Sequence, residues 1–175
     1  FNRQSLIGCK SPAMKVQNAK SDSLQLFANP SGRYALLYFY DVDCSKCKLE
    51  TPLLAQVLAK DDFPMDVYAF YTGDKKEAWD KYVKDHFSFQ TENTVLNNVW
   101  DASIDSDFQH KYGVLQTPRM FLIDPKGIII GRGLDSQAME MLSAAGADDP
   151  ASTLRPLLTA ALDNALQQGD AALTG

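Results

Sequence analysis

Cys44 and Cys47 stand two residues apart in the stretch "YFYDVDCSKCKLETP", Tyr38 to Pro52. Cysteines at this spacing serve a reversible disulfide, half of a zinc site, or nothing more than a buried thiol pair. The residues before them are apolar and those after them have helical period, so Cys44 falls where a strand ends and a helix begins. Unpaired backbone N–H groups and the helix dipole favour an anion at that point. A thiolate at Cys44 gains from that field, with Lys46 and Lys48 adding positive charge. The thiolate is the species that attacks a disulfide. Cys47, one helical turn further on, is placed to attack the resulting mixed disulfide and is expected to be the less exposed sulfur. Two intervening residues bring the sulfurs together without unwinding the helix.

A structural zinc needs two more Cys or His ligands, and the sequence offers Cys9, His86 and His110. None of these shows a paired ligand spacing, so no metal is assigned, and no cofactor either. Cys9 reads as a semi-buried or uncommitted thiol rather than a third catalytic cysteine. His86 and His110 read as surface or helix-side residues.

The elements that must position the pair follow from the surrounding pattern. "RYALLYFY", Arg33 to Tyr40, is a continuous apolar and aromatic run that suits a strand covered on both faces, expected at the centre of a sheet. From Cys47 to Lys60, Leu49, Leu53, Leu54, Val57 and Leu58 fall at helical spacing, with Pro52 inside as a kink. "MDVYAFYTG" gives a second strand and Asp74 to Asp85 a second helix, with Trp79, Tyr82 and Val83 on one side. Trp79 and Trp100 are expected in the core or a groove. The order strand, helix, strand, helix implies right-handed crossovers and a parallel centre.

The remaining segments are shorter. The N-terminal stretch reads as one or two edge strands with a turn at Asn29 to Gly32, and a short strand ends near Trp100. A helix is expected over Ser103 to Tyr112, stopped by Gly113. "RMFLID" and "GIIIGRG" form an antiparallel hairpin across Asp124 to Gly127. Leu154, Leu157, Leu158, Ala161, Leu162, Ala165 and Leu166 form the stripe of a C-terminal amphipathic helix.

Bulk properties exclude several classes. At 175 residues the chain reads as one domain, and a domain of this size buries roughly 70% of its unfolded surface, so it needs no staple. Three cysteines cannot build a disulfide scaffold, which turns the Cys-x-x-Cys toward chemistry. The net charge is -5 and no Lys/Arg run exceeds Lys75-Lys76, which argues against a nucleic-acid or anionic-lipid surface. No apolar stretch reaches membrane-spanning length. A chain that begins Phe1-Asn2-Arg3 is read as a mature form, or as a piece excised from a longer exported protein whose signal has been removed.

A second landmark is "GVLQTPRMFLID". A proline directly before a strand, with Thr117 ahead of it, admits either a cis peptide or an ordinary trans bond. In the cis form the Thr117 backbone turns outward beside the cysteines and can pair with an extended substrate strand.

"LLYFYDVDCSKCKLETPLL" followed by "YGVLQTPRMFLIDPKGIIIGRG" resembles the thioredoxin superfamily. It is most similar to the bacterial extracytoplasmic TlpA/ResA-like thiol-disulfide oxidoreductases. Early "IGCKSPAM" resembles that family's N-terminal Gly-x-x-x-Pro segment. The resemblance implies an α/β thioredoxin-like fold over residues 1–175. It consists of a central mixed β-sheet flanked by helices, with extra N-terminal strands and the C-terminal helix. It also implies Cys44 as nucleophile, Cys47 as resolving cysteine, Pro118 as the cis-proline with Thr117 beside it, and Pro52 as the proline that kinks the active-site helix. The Cys-x-x-Cys-x-x-Glu-x-Pro arrangement of ResA-like members carries over Glu50. As a carboxylate one turn from Cys47, Glu50 reads either as a proton relay or as a solvated helix residue paired with Lys46.

The motif departs from the superfamily at named positions. Asp43 replaces the frequent aromatic before the nucleophile and places negative charge beside Cys44, and the intervening pair is Ser45-Lys46. Tyr38 stands where cytosolic thioredoxins carry a buried Asp, which favours Glu50 as the relay. The reading is a thiol-disulfide oxidoreductase that reduces protein disulfides, located outside the cytoplasm. It is expected to draw on an upstream thiol electron donor, with no nucleic-acid partner and no membrane span. The alternative is a thioredoxin-fold binding or assembly domain with a non-catalytic pair. A peroxiredoxin reading lacks its Pro-x-x-x-Thr/Ser-x-x-Cys pattern in "LYFYDVDC".

Overall fold

The computed structural model describes residues 8–61 and 64–132. Seven strands form one mixed sheet. In chain order they are β1 (Met14–Asn18), β2 (Ser23–Leu26), β3 (Tyr34–Tyr40), β4 (Met65–Tyr71), β5 (Val95–Trp100), β6 (Arg119–Ile123) and β7 (Ile129–Arg132). The helices are α1 (Ser45–Asp61), α2 (Lys76–His86) and α3 (Phe108–Tyr112). In space the strands run β2-β1-β5-β4-β3-β6-β7.

β3 pairs in parallel with β4, and β4 with β5, as the alternation of strands and helices requires. On the other side β6 lies antiparallel to β3, and β7 follows through the expected hairpin. Gly127 turns that hairpin at φ +85°, a conformation costly for any residue with a Cβ, while the Asp124 carboxylate accepts N–H bonds from Lys126 and Ile128. The middle place among the seven belongs to β4 rather than β3, because both N-terminal strands add on the β5 side.

All seven residues of β3 are buried, and the strand's period of two sorts them into two cores. Tyr34, Leu36, Tyr38 and Tyr40 pack with α1 and α2 residues such as Leu54, Leu58 and Trp79. Ala35, Leu37 and Phe39 face Phe108 and Tyr112 of α3, with Met14 and Val16 of β1. An apolar run without alternation was therefore the correct signature of a two-sided strand. It fixes the end of β3, and so the place where α1 begins.

Two further sequence expectations change. Leu49 does not join the buried stripe of α1 but is 72% exposed, since the helix turns Cys47 and Glu50 inward at that level. The helix expected from Ser103 begins only at Phe108. Before it, the Asp101 carboxylate accepts N–H bonds from Asp105 and Ser106 and the Ser106 hydroxyl, and Ile104 and Asp107 take positive φ. That local capture of backbone donors competes with a helix. Its C-terminal stop at Gly113 (φ +64°) is as expected. The C-terminal amphipathic helix lies outside the described residues.

Candidate active site

Cys44 occupies the N-cap position of α1. Its carbonyl accepts the Lys48 N–H at 3.1 Å and its sulfur accepts the Cys47 N–H at 3.2 Å, so the side chain satisfies a backbone donor that the helix cannot. The Cys44 thiol in turn donates to the Thr117 carbonyl at 3.4 Å. The Thr117–Pro118 peptide is cis, Pro118 is buried, and Thr117 is partly exposed. Two segments 73 residues apart in sequence thus meet at one sulfur.

The two thiols differ sharply. Cys44 is partly exposed, whereas Cys47 is fully buried, with its sulfur accepting the Asp41 N–H at 3.5 Å. Burial raises the Cys44 pKa, but hydrogen bonds from the Cys47 and Thr117 side chains and from the backbone N–H groups of Cys47 and Lys46 outweigh it. The net shift is downward. Burial, reinforced by the bond to Cys44, pushes Cys47 up to about 12. Lys46 therefore acts on Cys44 through its backbone N–H, while its side chain and that of Lys48 are exposed.

Alkylation of the reduced protein checks this asymmetry. Cys44 is expected to react with iodoacetamide along a titration curve centred below the ordinary thiol value of 9.0, while Cys47 stays unmodified until the pH approaches about 12. The same shifts set opposite stability trends. Cys47 has a folded pKa above its unfolded one, so its contribution is complete below the ordinary thiol range and is lost as pH rises toward about 12. Cys44 has a depressed pKa, so its contribution is present above the unfolded value and is lost as pH falls through the folded one.

Glu50 is only 3% exposed, which does not fit the reading of a solvated glutamate paired with the exposed Lys46. It lies close enough to Tyr38 to raise that phenol's pKa, after burial, together with Cys47. Tyr38 shares a 2.8 Å hydrogen bond with the Thr51 hydroxyl, and Tyr82 donates to the Cys47 carbonyl at 3.3 Å. Cys47 is thus surrounded by hydroxyls and a carboxylate in a buried core, where electrostatic coupling is strong.

Asp43, Ser45 and Lys46 are all exposed. Asp43 forms an ion pair with Lys75 at 2.6 Å, which lowers its own pKa, and the Lys75 N–H is held by the Tyr71 hydroxyl. Sequence reasoning missed Lys75 and Tyr82, which the loop after β4 and the face of α2 bring in from outside the motif, and Thr51, which lies inside the motif but carries no spacing signal for its bond to Tyr38. Cys9 is exposed, and its carbonyl accepts the Ile129 N–H, away from the pair. Among the described residues no group of three His, Cys, Asp or Glu side chains could hold a metal ion. No helix among them is long and apolar enough to cross a membrane.

A sequence profile described as the AhpC/TSA family matches residues 7–132, well over half of the chain. The chain belongs to the AhpC/TSA family. A comparison with curated proteins found no match. Among solved structures, this AhpC/TSA-family chain is 28% identical to the thioredoxin domain of a thiol-disulfide oxidoreductase from Bacteroides vulgatus. The TM-score is 0.61 over 75% of this chain and 90% of that one. It is 26% identical to a thiol:disulfide interchange protein from a Bacteroides species, with TM-score 0.58 over 82% of this chain and 91% of that one. A secreted disulfide oxidoreductase from Mycobacterium tuberculosis, homologous to DsbE of E. coli, shares the fold at 18% identity. Its TM-score is 0.58 over 83% of this chain and 94% of that one. The AhpC/TSA-family chain has the thioredoxin-like fold, with the cysteine pair at the start of α1.

Proposed function

We propose that the chain is a thiol-disulfide oxidoreductase that reduces disulfides in other proteins. The observation that carries the reading is the asymmetry of the pair, an accessible Cys44 biased toward thiolate and a buried Cys47 held as thiol. The Cys44 thiolate attacks one sulfur of a substrate disulfide, and the other leaves as a thiolate. Cys47 then loses its proton, attacks the Cys44 sulfur, and expels the second substrate thiolate. The substrate gains two electrons, and the Cys44–Cys47 disulfide records their loss.

Glu50 is the nearest buried carboxylate by sequence to take the Cys47 proton, one helical turn away. Thr117 and Pro118 offer the backbone along which an extended substrate lies, and Asp43, Ser45 and Lys46 form the exposed rim. The downward shift at Cys44 stabilises the dithiol state and so sets a limit on reducing power, and the reductant direction is carried by the TlpA/ResA-like resemblance. Peroxide chemistry is disfavoured, since Leu37 and Asp41 stand where a peroxiredoxin nucleophile has its Pro and Thr/Ser. The TlpA/ResA-like resemblance, and the secreted Mycobacterium relative in fold, support a place outside the cytoplasm and an upstream thiol donor that re-reduces the pair.

The test is a redox titration against a dithiol buffer series, with thiols trapped by alkylation and located by mass spectrometry. Cys44 and Cys47 are expected to interconvert as one two-electron couple, near the reducing end of the range from about -270 to about -120 mV. A couple near the upper end overturns the direction of transfer, and absence of a reversible Cys44–Cys47 disulfide overturns the enzyme reading.

A further inference from the structure

A cavity of about 250 Å³ opens on the α3 side of the sheet. Thr117, whose carbonyl receives the Cys44 thiol, is one of its walls. Phe108 and Val114 supply a buried apolar surface, and Leu115 stands at the rim with 76% of its surface exposed. Asp41 and Thr72, just past the ends of β3 and β4, supply the polar part together with Gln109 and Gln116. Small-molecule sites occupy about 300–1,000 Å³, so this space suits one long side chain rather than a cofactor.

The cavity is amphipathic in a way that selects its occupant. Asp41 faces it because the strand's alternation sends residue 41 to the same side as Phe39. Its carboxylate already accepts the Asp43 N–H at 3.2 Å, and a carboxylate has about four acceptor sites, so it can take further donors. Lys75 is bound to Asp43, and Arg119, which the β3–β6 register pairs with Phe39 and so sets on the same face, donates its guanidinium to the Pro118 carbonyl. A side chain that meets Leu115 and Val114 with an apolar stem and Asp41 with a cationic head satisfies both walls. Lysine and arginine have that form.

Resting on the disulfide-reductase reading, we propose that this cavity is a substrate subsite. It receives a Lys or Arg side chain two residues from the substrate cysteine that Cys44 attacks. In an extended chain, residues two apart share a face, so a substrate lying along Thr117 presents its cysteine and this side chain together. Asp41 is then a specificity-determining residue, and the preferred substrates are disulfide proteins with a basic residue near the reducible cysteine.

The test uses the reduced chain and short peptides whose single cysteine is disulfide-bonded to thionitrobenzoate. Lys, Leu or Glu stands two residues before the cysteine in one set and two after it in another. Attack by the Cys44 thiolate on the peptide sulfur releases thionitrobenzoate, which is read by absorbance. Attack by Cys47 on the Cys44 sulfur then frees the peptide thiol. At low salt the Lys peptide of one set is expected to react about fivefold faster than the Glu peptide, with Leu between them, and 1 M salt should compress the ratio.

Asp41→Asn keeps an acceptor for the Asp43 N–H but removes the charge, and should bring the Lys-to-Glu ratio close to one. Leu115→Lys, a rim change with little bearing on folding, should lower it as well. Equal rates for all wild-type peptides, or a Lys preference that survives Asp41→Asn, overturn the proposal while leaving the reductase reading intact. Failure to release thionitrobenzoate from any peptide overturns both.

Discussion

Cys44→Ser is expected to reduce the turnover of a protein disulfide by about 10³-fold or more while leaving the fold intact. The two halves of that expectation have the same structural origin. Cys44 caps α1 by accepting the Cys47 N–H, and serine is among the best N-cap residues, so the variant keeps the helix end. What it loses is the accessible sulfur of the pair, since the buried Cys47, held as a thiol up to about pH 12, cannot substitute. Turnover of insulin disulfides, with circular dichroism as the control for folding, measures both. Cys47→Ser provides the contrast. Its first step survives and its second cannot occur, so a covalent adduct through Cys44 should accumulate and be visible by mass spectrometry. Full turnover in Cys44→Ser would remove the nucleophile assignment altogether.

The second large effect is on stability. Trp79→Ala is expected to cost about 3–5 kcal/mol, a large part of the 5–15 kcal/mol typical of a domain. Trp79 on α2 is completely buried, stacks on Tyr71 and Trp100 with ring centroids 5.9 and 5.3 Å away, and donates its indole N–H to the Tyr40 hydroxyl at 3.0 Å. Removing it opens a cavity in the tyrosine-rich core and strands the Tyr40 hydroxyl in an apolar setting. Urea unfolding followed by circular dichroism gives the number. Tyr40→Phe, which removes the hydroxyl and keeps the ring, should cost about 1 kcal/mol and so separate the hydrogen bond from the packing. A loss under 1 kcal/mol in Trp79→Ala would mean that α2 is not anchored through this residue.

The parts of the molecule legible in the sequence were those written in short-range pattern. The seven-residue apolar run of β3, the helical period after Cys47, the stop at Gly113 and the Asp124 to Gly127 hairpin each follow from local periodicity or turn chemistry, and each is present. The start of α3 was misplaced because Asp101 captures nearby backbone donors, an interaction that helical propensity does not weigh. Leu49 was assigned inward because a stripe of leucines conveys period but not which residue sits at the edge of the buried arc. At the site, sequence supplied the reactive pair and Thr117-Pro118, whose meeting depends on β3 and β6 being neighbours. It did not supply Asp41, Lys75 or Tyr82, whose relation to the cysteines exists only once the strand ends and α2 are in place. Asp43 was visible as a charge next to Cys44, but its partner lies 32 residues away.

The sulfur that caps α1 makes the end of that helix part of the redox couple. In the dithiol state Cys44 is biased toward a thiolate that the Cys47 N–H stabilises, and in the disulfide state no such charge can form. Every interaction that strengthens the cap therefore stabilises the reduced state over the oxidised one, and by linkage weakens the chain's drive to give up electrons. Thermodynamic firmness at the first turn of α1 and reducing power pull against each other. A substitution that tightens that turn should yield a sturdier protein when reduced and a poorer electron donor.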